Sequence, residues 1–213
     1  MSKAVLISIQ PKWCELILRG KKTLEVRKSR PKLEMPFKCY IYQTKGKERL
    51  LDILKDGDEN YGEIYHGKPV FIKARENSGY NGLFGREQKV IGEFICDEIE
   101  RVEIPYPAYQ NELDKRYIEQ SCVDYYALHR YFGHDDGYFW HISNFKIYDK
   151  PKELSELRAI CRHYDDGLCG DCEYYDYANN ESYRYEECAV DGLKPITRPP
   201  QSWQYVEERE DNA

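Results

Sequence analysis

The sequence predicts an α+β fold: a closed or half-closed β-barrel with flanking helices and a small C-terminal Cys-rich module. Strand-like patterns occur at residues 5–9, 24–27, 39–42, 70–74, 90–96 and 140–147, against three short helix patterns at 11–19, 48–54 and about 117–131. The two kinds intermix without regular βαβ alternation, which argues against a doubly wound parallel sheet. A third observation concerns the end of the chain. After the Lys-Pro-Lys-Glu segment at 150–153, aliphatic residues thin out and Cys, Tyr, Asp and Glu dominate. The expected division is therefore a domain at 1–155 and a Cys-rich, acidic, Tyr-rich module with an extended tail at 156–213.

The elements follow in order. Residues 5–9, Val-Leu-Ile-Ser-Ile, read as a buried strand. The helix after it has Pro11 at a first-turn position, apolar Trp13, Leu16 and Ile17 at helical spacing, and Gly20 as its stop. Strand alternation then places Thr23, Glu25 and Arg27 on one face and Leu24 and Val26 on the other. The stretch 56–68 is polar and irregular. The stretch 76–89 carries Gly79, Gly82 and Gly85 at intervals of three, a mobile hairpin loop or a lid feeding the strand that bears Glu93. Residues 195–203 read as a polyproline-like tail.

Length and charge bound the function. At 213 residues the chain can bury one sizeable core. No apolar run approaches the roughly 18–20 residues of a membrane span, and the N-terminus enters a strand pattern without a signal-peptide layout. A cytoplasmic protein with no membrane association is the expectation. The net charge of −6 argues against a general nucleic-acid binder, yet it hides a gradient. Residues 1–50 hold 13 Lys and Arg against 4 Asp and Glu, whereas residues 161–213 hold 5 against 13. The basic start suits a phosphate-contacting face, and the acidic end either neutralises it or shields it from non-specific polyanions. Twenty Tyr residues can stack on bases, but they also make ordinary amphipathic surface.

The octapeptide Gly20-Lys21-Lys22-Thr23-Leu24-Glu25-Val26-Arg27 has the form Gly-x-Lys-x-x-Glu-x-Arg. Together with the preceding strand and helix, the strand Lys89-Val90-Ile91-Gly92-Glu93-Phe94 and the strand Phe139-Trp140-His141-Ile142, it resembles the ASCH domain, over roughly residues 1–155. The resemblance implies a PUA-like β-barrel associated with RNA metabolism. It also implies that the Glu93 strand lines the same cleft as the octapeptide. Lys22, Glu25, Arg27 and Glu93 would then form a mixed-charge pocket, with Lys and Arg for a phosphate and carboxylates for base N–H groups or sugar hydroxyls. Trp140 would stack on a base, and His141 would bond a base or phosphate. Trp13 belongs either to this mouth or to the core. A closed Glu–Arg/Lys network that only locks the fold is the competing reading.

Some ASCH relatives are small amidohydrolases of acylated cytidine that use Lys, Thr and Glu. Lys22 and Glu93 stand where that resemblance wants the Lys and Glu, but Glu25 occupies the Thr position, with Thr23 two residues earlier. Catalytic candidates are therefore Lys22, Glu25 and Glu93, for a hydrolase or a nuclease. The leading expectation is a binder of RNA, a nucleotide or a modified nucleoside. A third reading is a protein-interaction adaptor using the acidic module.

Four cysteines, Cys161, Cys169, Cys172 and Cys188, have the spacing C-x7-C-x2-C-x15-C. The C-x2-C pair can aim two thiolates at one tetrahedral centre, and a segment this poor in aliphatic residues needs a staple. Structural zinc is the leading expectation; two disulfides, an iron–sulfur site or unlinked thiols are the alternatives, and His163 is a substitute ligand. Cys14, Cys39, Cys96 and Cys122 lie within apolar patterns and read as buried free thiols.

Overall fold

The structure, a computed structural model, describes residues 2–45, 52–53, 71–72, 88–133, 136–161 and 193–209. Strand β1 (Lys3–Ile9) is followed by helix α1 (Pro11–Leu18), β2 (Leu24–Arg27) and β3 (Phe37–Gln43). The short strands β4 (Asp52–Ile53) and β5 (Phe71–Ile72) pair with each other. Next come β6 (Lys89–Cys96) and β7 (Ile99–Val102), then a 3-10 turn at Pro107–Glu112 and helices α2 (Lys115–Ser121) and α3 (Tyr125–Phe132). Strands β8 (Gly137–His141), β9 (Ser143–Lys152), β10 (Arg158–Ile160), β11 (Leu193–Pro195) and β12 (Trp203–Glu207) complete the order.

The main sheet has seven strands in the order β11-β10-β12-β1-β3-β6-β9, and a smaller sheet has the order β2-β8-β7. β1 pairs in parallel with β3 and antiparallel with β12. Both its faces are covered, which is why it reads as a continuous apolar run rather than an alternating one. Alternate residues feed two cores. Val5, Ile7 and Ile9 join Cys39, Ile41, Phe94 and Trp140 on one side, where α1 packs through Cys14 and Ile17. Ala4 and Leu6 join Tyr40, Tyr42, Tyr148 and Val206 on the other. The same period-2 logic splits β8: Trp140 enters the first core, while Phe139 enters a third, with Leu24, Leu128 and Phe132 under α2 and α3. The small sheet thus lies between the main sheet and the two helices.

Several expectations need correction. The described strands close no barrel. The strand expected at 140–147 is two strands, β8 and β9, interrupted at Ile142. β8 bonds to β2 and β7, while β9 bonds to β6, so the chain changes sheets there instead of closing one. Asn144, at φ 48°, lies within β9, where its register with β6 shifts between Glu93 and Ile95. The helix expected at 117–131 is also two elements. Cys122 adopts a left-handed conformation that ends α2, and the Asp124 side chain accepts from Ala127 N–H to start α3. Within the expected helix at 48–54, residues 52–53 are strand.

The described residues after 155 are not separate from the sheet. β10, β11 and β12 all belong to it, and residues 203–207, expected as the end of an extended tail and beyond, pair with β1 through five register partners from Lys3–Glu207 to Ile7–Trp203. Close approach also explains one glycine: a Cβ on Gly92 would lie 2.4 Å from the Lys146 carbonyl oxygen of β9. The glycine-spaced loop at 76–87, the polar stretch at 56–68, His163, Cys169, Cys172 and Cys188 lie outside the described residues.

Candidate nucleic-acid interface

The octapeptide folds as its alternation predicts. Gly20 turns the chain out of α1 at φ 66°, a conformation that favours glycine. Leu24 and Val26 pack under the helices, and Glu25 and Arg27 take the opposite face of β2, toward the main sheet. Their charges are almost fully buried: Lys22 is 2% exposed, Glu25 5% and Arg27 8%. Glu25 holds the centre, with Oε1 2.9 Å from the Arg27 guanidinium and Oε2 3.3 Å from Lys22 Nζ.

One carboxylate cannot balance two cations, and backbone carbonyls take up the excess. Lys22 Nζ donates to the carbonyls of Leu24 at 2.7 Å and Ser121 at 2.8 Å, tying β2 to the end of α2. Arg27 donates to the Ser8 carbonyl at 2.7 Å, tying β2 to β1. Burial pushes the Lys22 pKa down, and Glu25 beside it opposes that shift. Glu25 Oε2 and Arg27 Nε are buried without a hydrogen-bond partner among the described residues.

Around this buried frame the surface is basic and aromatic. Lys21, Lys28, Arg30 and Lys32 are exposed. The Trp13 ring, half-buried against the first core, has Lys12 Nζ at 4.3 Å and Lys22 Nζ at 5.2 Å from its centroid. Tyr131 of α3 is 41% exposed, and Lys28 Nζ lies 5.2 Å from its ring. Burial raises the Tyr131 pKa, with Arg27 lowering it and Glu25 raising it, so the phenol borders the charged frame. Sequence reading did not single out Lys28 or Tyr131. The signal available was the amphipathic stripe of α3, whose buried face leaves Tyr131 outside.

The other expected site residues lie elsewhere. Glu93 faces Tyr40 across β3, on the side of the main sheet opposite the first core. It accepts from Tyr148 Oη at 2.5 Å and lies 4.0 Å from Lys38. The sheet therefore separates Glu93 from Lys22, Glu25 and Arg27, and the four form no common pocket. Trp140 is fully buried in the first core, edge-on to Phe37 at 6.1 Å, so its ring offers no stacking surface.

His141 joins a network on the small sheet, with Nε2 2.8 Å from Glu100 Oε1. Arg116 grips both oxygens of Glu100, and Tyr117 Oη donates to Oε2 at 2.8 Å. The Arg116 fork holds the Glu100 carboxyl down at about 2, against partial burial, with His141 and Tyr117 assisting. Because the folded pKa lies below the ordinary value of 4.5, this stabilisation is full above about pH 4.5 and lost as pH falls through 2. In urea unfolding followed between pH 5 and 2, Glu100→Gln is expected to flatten the acid-side loss of stability.

Cys14, Cys39 and Cys96 are buried free thiols, and burial pushes all three pKa values up, that of Cys96 to about 12. Cys122 and Cys161 are half-buried and free. Among the described residues, no group of three or more His, Cys, Asp or Glu side chains could hold a metal ion. No described helix is long and apolar enough to cross a membrane.

A buried Lys–Glu–Arg frame on the first strand after a strand–helix unit defines a motif-built domain rather than a general basic surface. The ASCH domain model matches residues 7–126, more than half of the chain, and the protein belongs to the ASCH domain family. Among solved structures, ASCH from Zymomonas mobilis is 16% identical, covering 96% of this chain and 88% of its own, with a TM-score of 0.49. A tyrosine-to-phenylalanine variant of that protein gives 16% identity, 97% and 92% coverage and a TM-score of 0.49. No curated protein matches the sequence.

Proposed function

We propose that this protein binds RNA, or a nucleotide with a plain or modified base, on the face built by the Gly-x-Lys-x-x-Glu-x-Arg motif. One observation carries the reading: Lys21, Lys28, Arg30 and Lys32 stand exposed around a frame whose own charges are spent internally. The buried Lys22, Glu25 and Arg27 shape the site, and the exposed cations contact phosphate. Tyr131 and Trp13 supply the flanking rings. Membership of the ASCH family, a PUA-like family associated with RNA, supports the same conclusion.

The test is salt dependence. Binding of a single-stranded oligouridylate is expected to weaken linearly in log–log form with salt. Lys28→Ala and Arg30→Ala are each expected to lower the slope by about 0.7, one phosphate contact apiece. An unchanged slope in both variants would remove the reading.

A hydrolase or nuclease built on Lys22 and Glu93 would need the two in one centre, and Lys22 is already committed to two carbonyls and Glu25. Binding is therefore the preferred reading. Structural zinc on Cys161, Cys169, Cys172 and Cys188 remains the proposal for the C-terminal segment, to be tested by elemental analysis. An acidic docking segment for a protein partner and a cytoplasmic location belong to the same proposal.

A further inference from the structure

Helix α3 spends its apolar residues unevenly. Tyr125, Leu128 and Phe132 form its buried stripe, yet Tyr126 and Tyr131 remain 59% and 41% exposed. Arg130 lies one turn after Tyr126 and is exposed on the same side. The helical rise sets Tyr126 and Tyr131 about 7.5 Å apart along the axis and the five-residue step turns them about 140° apart around it, with Arg130 between the two directions, so a strand touching both crosses the helix obliquely. At its far end, Tyr131 borders Lys28 and the motif frame, so this face continues the site described above.

The chemistry of the exposed groups narrows the occupant. Among the described residues, the exposed large hydrophobics are four tyrosines and Met35. Tyrosine and methionine also serve protein interfaces, so the charge beside each ring decides between occupants. Rings interleaved with cations are what bases and phosphates need together. The remaining exposed tyrosines, Tyr106 and Tyr109, sit in a stretch with exposed Glu103, Glu112 and Asp114, which would repel phosphates.

We propose that the solvent face of α3 is a stacking path for single-stranded RNA leading away from the motif site. Tyr131 takes the base next to the bound nucleotide, Tyr126 takes a later one, and Lys28 and Arg130 contact the phosphates between them. This rests on the reading that the motif face binds RNA, and it adds a preference for extended single strands over mononucleotides and duplexes.

Fluorescence anisotropy with a dodecameric oligouridylate, diuridylate and a duplex of the same length separates the two ideas. The parent protein is expected to prefer the dodecamer. Tyr126→Ala should weaken dodecamer binding about tenfold and leave diuridylate unchanged. Tyr126→Phe, which keeps the ring, should bind as the parent does, and so should Tyr109→Ala. If Tyr126→Ala binds the dodecamer like the parent while Lys28→Ala weakens it, the path is overturned and the motif reading stands. Duplex binding as tight as single-strand binding would also overturn the path, and a protein-docking role for α3 would replace it. If the parent binds no oligonucleotide, the motif reading falls and takes the path with it.

Discussion

Glu25→Ala is expected to lower the unfolding free energy by about 3–5 kcal/mol, because it strands two buried cations without their counter-charge. Lys22 and Arg27 would keep their carbonyl partners, but a neutral carbonyl offsets only part of a desolvated charge. Glu25→Gln is the sharper comparison. It preserves volume and an acceptor oxygen while removing the charge, and is expected to cost nearly as much as Ala. A Gln variant within 1 kcal/mol of the parent in urea unfolding would show that packing, not charge, makes Glu25 matter. Replacing Lys22, Glu25 and Arg27 together by apolar residues of similar size is expected to cost less than Glu25→Ala alone, since no uncompensated ion then remains.

Trp140→Ala comes next, at about 3–5 kcal/mol. Its ring packs against Phe37 of the main sheet and lies 6.0 Å from that of Trp203, so it couples β8 to both β3 and β12. The indole N–H has no hydrogen-bond partner among the described residues. Trp140→Phe therefore gives up volume but no polar contact, and removes a buried unpaired donor. Its cost is expected to be under about 1.5 kcal/mol. Equal destabilisation by Ala and Phe in denaturant titrations would contradict this account.

The parts of the fold legible in the sequence were those where local pattern and tertiary environment agree. β1, α1, β2, β3 and β6 announce themselves because burial repeats at period 2 or 3.6, or because β1 is covered on both faces. The β8–β9 break carries no Gly or Pro, and His141-Ile142-Ser143 continues a strand pattern, so only pairing partners reveal the switch of sheets. The end of α2 was more readable: Asp124 is an N-cap residue, although the apolar spacing runs straight across it. β12 was missed because it is only five residues long, closely follows two prolines, and lacks the aliphatic run that marks β1.

The site divides in the same way. Alternation placed Glu25 and Arg27 together, and the five-residue linker from helix to strand carries Lys22 onto Glu25. What alternation cannot supply is which side of β6 faces β2. Glu93 pairs opposite Tyr40, and it is the parity of that register that sends it to the second core's side. Trp140 was equally ambiguous. A ring at that position stacks on a ligand or fills a core depending on whether another sheet covers it.

The placement of β12 beside β1 also has a consequence for synthesis. β1 leaves the ribosome about 200 residues ahead of its antiparallel neighbour β12. At 5–20 residues per second, that interval is roughly 10–40 s. For that time an apolar strand waits with one edge open, able to recruit another nascent chain or a holdase chaperone. Ribosome spacing and chaperone supply should therefore govern the yield of folded protein more strongly than its equilibrium stability does.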